Sequence, residues 1–320
     1  MTRHCGICGG PTALRHRGTD APPGPAAFAP TCHTPGGHGD LYACERCGTL
    51  QQPGLPQGPE LLDLYRGMRD DGYLAEAEGR RATARRLLDA LERHAPPGRL
   101  LEVGCGHGLL LDEARVRGWE VSGLELAGAS LAHARDQLGL DVRSGTLEEL
   151  DPANDGGLRA IVMADVLEHL ADPVDALRRC AALLADGGLL CVVTPDPSSA
   201  TARIAGRRWW ALLPAHTFLV PHATLRSLLR AEGLEPLEAR GLRRTFTLGY
   251  WLAGLAERSA PAQRAVGGLG RTGITGRALT LSLGDERIVV ARRGATGPGG
   301  RTYATPSSGR PRSQRATVQP

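Results

Sequence analysis

Short apolar runs alternate with helical patterns through most of the chain. The runs have the length of buried strands and lie at residues 99–103, 119–124, 158–163, 189–193 and 287–292, with a further strand predicted at 141–144. Before the strand at 189–193, a helix is predicted to begin at Asp172-Pro173 and to end at Gly187-Gly188. Asp and Pro favour helix starts, and Gly favours helix ends. Alternating strands and helices predict an α/β fold whose parallel sheet is covered on both faces.

Three glycines at alternate positions follow the run at 99–103, namely Gly104, Gly106 and Gly108. Glycines at the end of a buried strand let the backbone approach a ligand without interference from Cβ. The helix that follows offers free backbone N–H groups at its start. The spacing differs from the Gly-x-Gly-x-x-Gly of dinucleotide folds, so it disfavours an NAD-dependent oxidoreductase.

An acidic residue, Glu125, ends the second predicted strand, 21 residues beyond Gly104. A carboxylate at such a strand tip can accept hydrogen bonds from both hydroxyls of a ribose. A solvated surface glutamate is the alternative interpretation. The position after a glycine loop favours the ligand contact.

With Glu102 inside the first strand, these motifs resemble those of the class I S-adenosylmethionine (SAM) methyltransferases over about residues 60–293. The resemblance implies a Rossmann-like sheet of seven strands that binds SAM. Many members carry Asp where this chain has Thr146, so we expect the backbone and Leu147 to contact the adenine instead. The cofactor-binding residues implied are Glu102, Gly104, Cys105, Gly106, Gly108, Glu125, Leu126, Thr146, Leu147 and Ala164.

Two histidines are candidates for the catalytic base of this reaction. His169 follows the fourth predicted strand, which lies next to the methyl group in the family, and His216 lies in the aromatic segment 207–222. A neutral imidazole can take the proton of an acceptor hydroxyl. In that segment Trp209 and Trp210 are expected to wall the acceptor site. The alternatives are a backbone-bonded histidine at a helix start and a solvent-facing histidine in a hydrophobic lid.

The stretch from Asp165 to His169 also resembles the Glu-x-x-Glu-His of the ubiquinone-pathway O-methyltransferases, whose carboxylates and histidine can hold a divalent ion. Asp165 is one methylene shorter than the family's glutamate. A bound cation would lower the pKa of an acceptor hydroxyl. Ordinary helix-capping carboxylates explain the same residues, so both interpretations stay open.

Four of the eight cysteines form two Cys-x-x-Cys pairs, Cys5/Cys8 and Cys44/Cys47. Each pair places two thiolates on one turn, and two turns complete a tetrahedral zinc site with no open position, which makes the zinc structural. The separation of 35 residues between the pairs is long, and the insert is predicted to be a loop. A redox pair is one alternative, and further alternative ligands are Cys32, His33 and His38.

A zinc ribbon before this domain is similar to that of bacterial methyltransferases of glycan, sugar and secondary-metabolite pathways. Their Tyr-x-Cys-x-x-Cys-Gly signature corresponds to residues 42–48. We therefore expect a zinc-ribbon-like module and linker at 1–57, a methyltransferase domain at 58–293 and a disordered tail at 294–320. A lid insertion is predicted at about 240–283, and its basic-flanked helix from Thr245 to Ala256 is alternatively a peripheral membrane contact.

The charge and composition of the chain limit the classes of binding partner that the sequence predicts. A net charge of +4 is too small to indicate a polyanionic binding partner by itself. The basic residues are also not clustered on the predicted zinc ribbon. No apolar run reaches the roughly 18 residues of a membrane span and no secretory signal is evident, which predicts a cytoplasmic protein. The expected reaction is O-methylation of a small molecule, sugar, or glycan- or lipid-linked acceptor. An RNA methyltransferase that grips RNA through the zinc module and a non-catalytic SAM-binding scaffold are the alternatives, and the oligomeric state is not predicted.

Overall fold

The computed structural model describes residues 3–19, 24–31, 37–56, 58–70, 72–256 and 274–295. Its strands are β1 (Arg3–His4), β2 (Pro11–His16), β3 (Leu41–Cys44), β4 (Leu50–Gln51), β5 (Arg99–Val103), β6 (Glu120–Leu124), β7 (Val142–Arg143), β8 (Leu158–Ala164), β9 (Leu184–Pro195), β10 (Phe218–Leu219), β11 (Leu234–Gly241), β12 (Arg244–Thr247), β13 (Ala278–Leu281) and β14 (Glu286–Arg293). Its α-helices are α1 (Pro59–Arg66), α2 (Ala77–Glu92), α3 (Leu109–Val116), α4 (Gly128–Ala132), α5 (Pro152–Asp155), α6 (Pro173–Leu183), α7 (Ala200–Ala205), α8 (His222–Ala231) and α9 (Leu248–Ala256).

Seven strands form one sheet in the order β11-β14-β9-β8-β5-β6-β7. The strands from β9 to β7 in this order are parallel, whereas β14 is antiparallel to both β9 and β11. At the carboxyl end of β5, Val103 lies between Leu124 and Met163 of the neighbouring strands. This topology confirms the predicted Rossmann-like α/β fold and brings the ends of β5, β6 and β8 to one edge.

The sheet is held by a buried layer on each face. Successive residues of β5 point in opposite directions, so Leu100 packs in the layer formed by α2 and α3, and Leu101 in the layer formed by α6 and α8. β8 and β9 are buried on both faces, which explains their nearly continuous apolar sequence. No helix within the described ranges has the length and apolar character needed to cross a membrane.

Two predicted boundaries differ from the structure. The helix after Asp172 ends at Leu183, and β9 begins at Leu184, which already pairs with Leu158 of β8. Gly187-Gly188 therefore lie in an irregular part of the strand and do not end the helix. The predicted lid helix begins only at Leu248, because the residues before it form β12, which pairs with β13. Residues 257–273 of the predicted insertion lie outside the described residues.

The N-terminal sheet has five strands, β1 to β4 and, from much later in the chain, β10, which pairs with β4. The insert between the two cysteine pairs is not simply a loop, because it contains β2, which pairs with β3, and a turn of 3-10 helix at Pro25–Phe28. Cys32 and His33 lie outside the described residues, as does the predicted tail beyond Ala295.

The aromatic segment after β9 is anchored by one buried carboxylate. The indole N–H groups of Trp209 and Trp210 both donate to Oδ2 of Asp285, each at 2.7 Å. Trp209 is itself buried against Leu41 of β3 and neighbouring leucines. The tryptophans therefore fix the segment to the body of the protein, a role that the sequence pattern did not indicate.

Replacing Asp285 with Ala should lower the free energy of unfolding by about 2–4 kcal/mol, because two indole N–H groups would lose their acceptor. Urea denaturation followed by tryptophan fluorescence measures this change. The control is Asp141→Ala, at an exposed position, which should change stability by less than about 0.5 kcal/mol. Equal losses in the two variants would contradict the assigned anchor.

Candidate functional site

The loop after β5 requires glycine at all three alternate positions. Gly104, Gly106 and Gly108 have positive φ angles of 66°, 53° and 79°, a region that L side chains rarely adopt. A Cβ on Gly104 would lie 2.8 Å from Cγ2 of Val166, and one on Gly108 would lie 2.6 Å from Cδ1 of Leu140. The loop is thus tightly enclosed by the segment after β8 on one side and by the residues before β7 on the other.

Glu125, at the end of β6, is bonded to this loop. Its two carboxylate oxygens accept hydrogen bonds from the backbone N–H groups of Gly106 and Ala127, each at 2.7 Å. Burial raises the pKa of Glu125, and the hydrogen bonds from the backbone of Ala127, Gly106 and Leu126 act against that rise. The predicted strand-tip carboxylate is therefore fixed in direction next to the glycine loop.

Glu102 is a second buried carboxyl group below the same loop. Its Oε2 has no hydrogen-bond partner among the described residues. Burial, and secondarily the charge of Glu125, raises the pKa of Glu102 well above its usual range. An unpartnered carboxyl oxygen in a buried position is costly unless a ligand supplies the missing donor.

The remaining predicted cofactor residues lie around the edge of this region. The side chain of Cys105 points into the core, where a Cβ on Gly123 would lie 2.8 Å from its Sγ, while its backbone follows the loop. The side chain of Thr146 is engaged with Glu149 of its own turn. Leu126 follows β6 and is half-buried, and Ala164 ends β8 and is half-buried as well. Leu147, in the turn after β7, is buried.

Two residues that sequence reasoning did not single out lie over the loop. A Cβ on Gly106 would lie 3.4 Å from the Tyr73 hydroxyl, and the guanidinium carbon of Arg80 lies 3.8 Å from the centroid of the Tyr73 ring. Burial raises the pKa of Tyr73 to about 12, with Arg80 opposing the rise and Glu102 adding to it. One terminal nitrogen of Arg80 is buried and has no hydrogen-bond partner in the part of the chain that the structure describes. The arginine resembles other arginines of α2 in sequence, so nothing in the pattern distinguishes it.

The two candidate bases lie side by side. The ring centroids of His169 and His216 are 4.8 Å apart. Nδ1–H of His169 donates to the carbonyl of Ala215 at 3.1 Å, and Nδ1–H of His216 donates to the carbonyl of Ala211 at 2.7 Å. Burial lowers the pKa of both, that of His216 to about 3 with a contribution from His169. Both imidazoles are therefore neutral, with the lone pair on Nε2.

The two acidic residues near the histidines, Glu168 and Asp165, have different partners. Glu168 accepts a hydrogen bond from the Thr194 hydroxyl at 3.0 Å, and its pKa is raised well above the usual range, chiefly by burial. Its ligand atom and those of the two histidines lie within 4.8 Å of one another, and such donors suit a divalent cation. Asp165, with a positive φ of 57°, instead pairs with Arg244, whose Nη2 lies 2.6 Å from both carboxylate oxygens. Of the Asp165-to-His169 set considered from the sequence, Glu168 and His169 thus come together with His216, and Asp165 is not part of that group.

Tyr65 of α1 lies beside the histidine pair. Its ring lies 6.0 Å from that of His169 and 4.9 Å from that of Phe28, between centroids. Its hydroxyl is buried and has no hydrogen-bond partner within the described ranges, and burial followed by the charges of Glu168 and Glu125 raises its pKa. α1 and the Phe28 turn of the N-terminal insert pack in one apolar cluster with Ala127, which is bonded to Glu125, and with Ala215, which is bonded to His169.

The four cysteines of the N-terminal pairs also come together. Sγ of Cys5 lies 3.7 Å from Sγ of Cys47, and Sγ of Cys8 lies 3.5 Å from that of Cys44. A tetrahedral zinc with Zn–S bonds of about 2.3 Å requires sulfur–sulfur edges of about 3.8 Å. The donor set therefore fits zinc. His38 is not part of this group, and its Nδ1 bonds to the carbonyl of Gly39 at 2.8 Å.

Comparison with known proteins places this geometry in a family. The model of a methyltransferase domain family matches residues 75–239, slightly more than half of the chain. The ubiquinone biosynthesis O-methyltransferase of Bordetella bronchiseptica is 34% identical over 157 residues, which are 45% of this chain and 65% of that protein. The enzyme of that name from Cereibacter sphaeroides is 34% identical over 173 residues, 50% of this chain and 68% of that protein.

The match therefore covers just under two thirds of the first relative. Among solved structures, geranyl diphosphate C-methyltransferase from Streptomyces coelicolor A3(2) has a TM-score of 0.45 and 19% identity, over 66% of this chain and 75% of that one. By the extent of the family match, the chain belongs to the methyltransferase domain family.

Proposed function

We propose that this protein is a SAM-dependent methyltransferase that methylates a hydroxyl oxygen of a small molecule, with a sugar or a glycan- or lipid-linked acceptor as the finer possibilities. One observation carries the proposal: two buried carboxyl groups meet the glycine loop, and one of them has an unpartnered oxygen. The similarity to ubiquinone biosynthesis O-methyltransferases supports the choice of oxygen. SAM, when bound, supplies an electrophilic methyl group.

The polar groups around the loop fit the chemical groups of SAM. Glu125 offers carboxylate oxygens suited to two ribose hydroxyls. The unpartnered oxygen of Glu102 and the unpartnered nitrogen of Arg80 suit the ammonium and carboxylate of an amino acid. A pyrophosphate, as in NAD, would bring negative charge to the two carboxyl groups, so the same residues disfavour a dinucleotide.

The histidine pair has the state that a general base requires. An acceptor hydroxyl becomes more nucleophilic when its proton moves to a nearby lone pair, and the Nε2 atoms of His169 and His216 carry such lone pairs. Methyl transfer from SAM to the acceptor oxygen would release one proton, and the imidazole of His169 or His216 would hold it. The buried surroundings exclude water, which would otherwise compete for the methyl group.

We also propose that Cys5, Cys8, Cys44 and Cys47 hold a structural zinc ion. The sulfur–sulfur distances support this, because they match the edges of a zinc tetrahedron. Four thiolate ligands leave no position for a substrate. The ion would then stabilise the N-terminal sheet and take no part in methyl transfer.

Isothermal titration with S-adenosylhomocysteine tests the cofactor assignment. The wild-type protein should bind it with micromolar affinity and should not bind NADH. Glu125→Ala should weaken binding at least tenfold, or about 1.4 kcal/mol, because the ribose would lose its acceptor. The control is Glu120→Ala, on the same strand but exposed, which should retain wild-type affinity. Preferential binding of NADH would contradict the proposal.

The pKa of His216, lowered by burial to about 3, predicts a dependence of stability on pH. An unfolded histidine has a pKa of about 6.5, so below that pH the unfolded state binds more protons than the folded state. Stability should therefore fall as the pH decreases from about 6.5 towards 4, with up to about 1.4 kcal/mol per pH unit from this residue. Urea denaturation at pH 7 and pH 5 measures the slope.

His216→Gln should reduce that slope, whereas His4→Gln, at an exposed position, should leave it unchanged. A slope that stays the same after His216→Gln would show that folding does not lower the pKa of this residue, and would contradict its burial as a neutral imidazole.

Metal analysis of the purified protein tests the cysteine site. We expect one equivalent of zinc per chain, and Cys44→Ser should lose most of it because the tetrahedron would lack a thiolate. Cys180→Ser provides the control, since Cys180 of α6 is buried in the core, and it should retain the metal. Zinc retained in full by Cys44→Ser would exclude the four-cysteine site.

A further inference from the structure

The segment that carries His216 forms part of the N-terminal sheet. Phe218 and Leu219 of β10 pair with Gln51 and Leu50 of β4. The backbone N–H of Gln52 extends this pairing by donating to the carbonyl of Thr217 at 3.0 Å. A residue proposed to act on the acceptor is therefore followed directly by a strand of the cysteine-bearing sheet.

The side chain of Gln52 adds a more specific connection. It is 1% exposed, and its Nε2 lies 2.7 Å from the carbonyl oxygens of both Leu213 and His216. Its Oε1 accepts a hydrogen bond from the N–H of Gly39 at 2.8 Å. Both N–H groups of the amide and its oxygen are thus used, in a geometry that a shorter or an apolar side chain does not reproduce.

These contacts hold the backbone turn that carries the imidazole. The backbone N–H of His216 donates to the carbonyl of Leu213, at 3.2 Å, and closes the turn between them. Gln52 therefore binds the carbonyls at both ends of that turn. The hydroxyl of the next residue, Thr217, donates a hydrogen bond to the carbonyl of His169 at 3.4 Å. The turn is therefore also in contact with the backbone of the second histidine.

The cysteine cluster supports β4 from the other side. The Gln51 side chain accepts a hydrogen bond from Gly6 and donates to the carbonyl of His4. A Cβ on Gly6, which lies between Cys5 and Cys8, would be 2.8 Å from Cζ of Phe218. The first cysteine turn, β4 and β10 are therefore in direct contact, and a change in that turn reaches Gln52 through one strand.

We propose that Gln52 is a positioning residue for His216, and that the four-cysteine site acts on the acceptor side of the active site through it. The inference rests on the proposed function, because it takes His216 as a base and the cysteines as zinc ligands. The N-terminal module would then help to position the catalytic base, in addition to forming its own sheet.

The test compares zinc-loaded wild-type protein with Gln52→Met, which keeps the volume and removes the amide, and with Thr224→Val. Thr224 is the matched control, because its hydroxyl also joins the two parts by donating to the carbonyl of Cys47 at 2.8 Å but does not touch the His216 turn. Two quantities are measured: amide hydrogen exchange of residues 213–219, and the NMR signal of the Nδ1–H of His216, assigned with His216→Gln.

Gln52→Met should accelerate exchange of residues 213–219 at least tenfold and abolish the protected Nδ1–H signal, while its zinc content stays at the wild-type level. Thr224→Val should change neither quantity. Removing zinc from the wild-type protein should produce the same loss, and removing it from Gln52→Met should add less than a further twofold. Gln52→Asn, whose amide is one methylene too short, is the second variant if Gln52→Met does not fold.

An unchanged Nδ1–H signal in a folded Gln52 variant would overturn the positioning role. An equal effect of zinc removal in the wild-type protein and in Gln52→Met would overturn the route through Gln52. Neither measurement requires SAM or an acceptor, so a failure of wild-type protein to bind S-adenosylhomocysteine would count against the proposed function separately.

Discussion

The hydrogen bonds that the backbone of Gly106 and Ala127 donates to Glu125 are the constraint on which the rest of the site depends. They join the loop after β5 to the turn after β6, so the two strand ends keep one relative position. Tyr73 then lies over the loop and Glu102 below it. A carboxylate that serves first as a backbone acceptor is already oriented before any ligand arrives, which reduces the cost of ordering it on binding.

The site also contains several buried acidic side chains. The pKa values of Glu102, Glu125 and Glu168 are all raised mainly by burial, and the hydroxyls of Tyr65 and Tyr73 experience the same carboxyl groups. Such an arrangement costs stability in the free protein. A ligand that brings positive charge and hydrogen-bond donors recovers part of that cost, so its binding also stabilises the fold.

Local patterns in the sequence were sufficient for the sheet, the glycine loop and the two cysteine pairs, because each depends on residues close together in the chain. The three glycines of the loop after β5 stand at alternate positions in the sequence, and all three have positive φ angles. The two histidines were found separately, and only the fold places their rings 4.8 Å apart. Their adjacency depends on β10 joining a sheet formed by the first fifty-one residues, which no local pattern encodes.

The residues that sequence reasoning missed share this non-local character. Phe28, Tyr65 and Tyr73 belong to three segments that meet only in the folded protein, and an isolated aromatic residue in an amphipathic segment indicates a core position first. The anchoring of Trp209 and Trp210 is likewise non-local, because their partner, Asp285, lies more than seventy residues away. The helix end expected at Gly187 was wrong because pairing with β8 extends the strand.

The pairing of β4 with β10 also determines the order in which the chain can be completed. Gln52 and His216 are 164 residues apart, so the N-terminal sheet lacks its last strand until most of the central sheet has been synthesised. Domains generally fold from the N-terminus as they emerge, but here β4 must keep an open strand edge until residues 218 and 219 have been synthesised. Removing that strand from the finished protein would in turn leave β10 without a partner, so the two halves cannot be exchanged between relatives as independent modules.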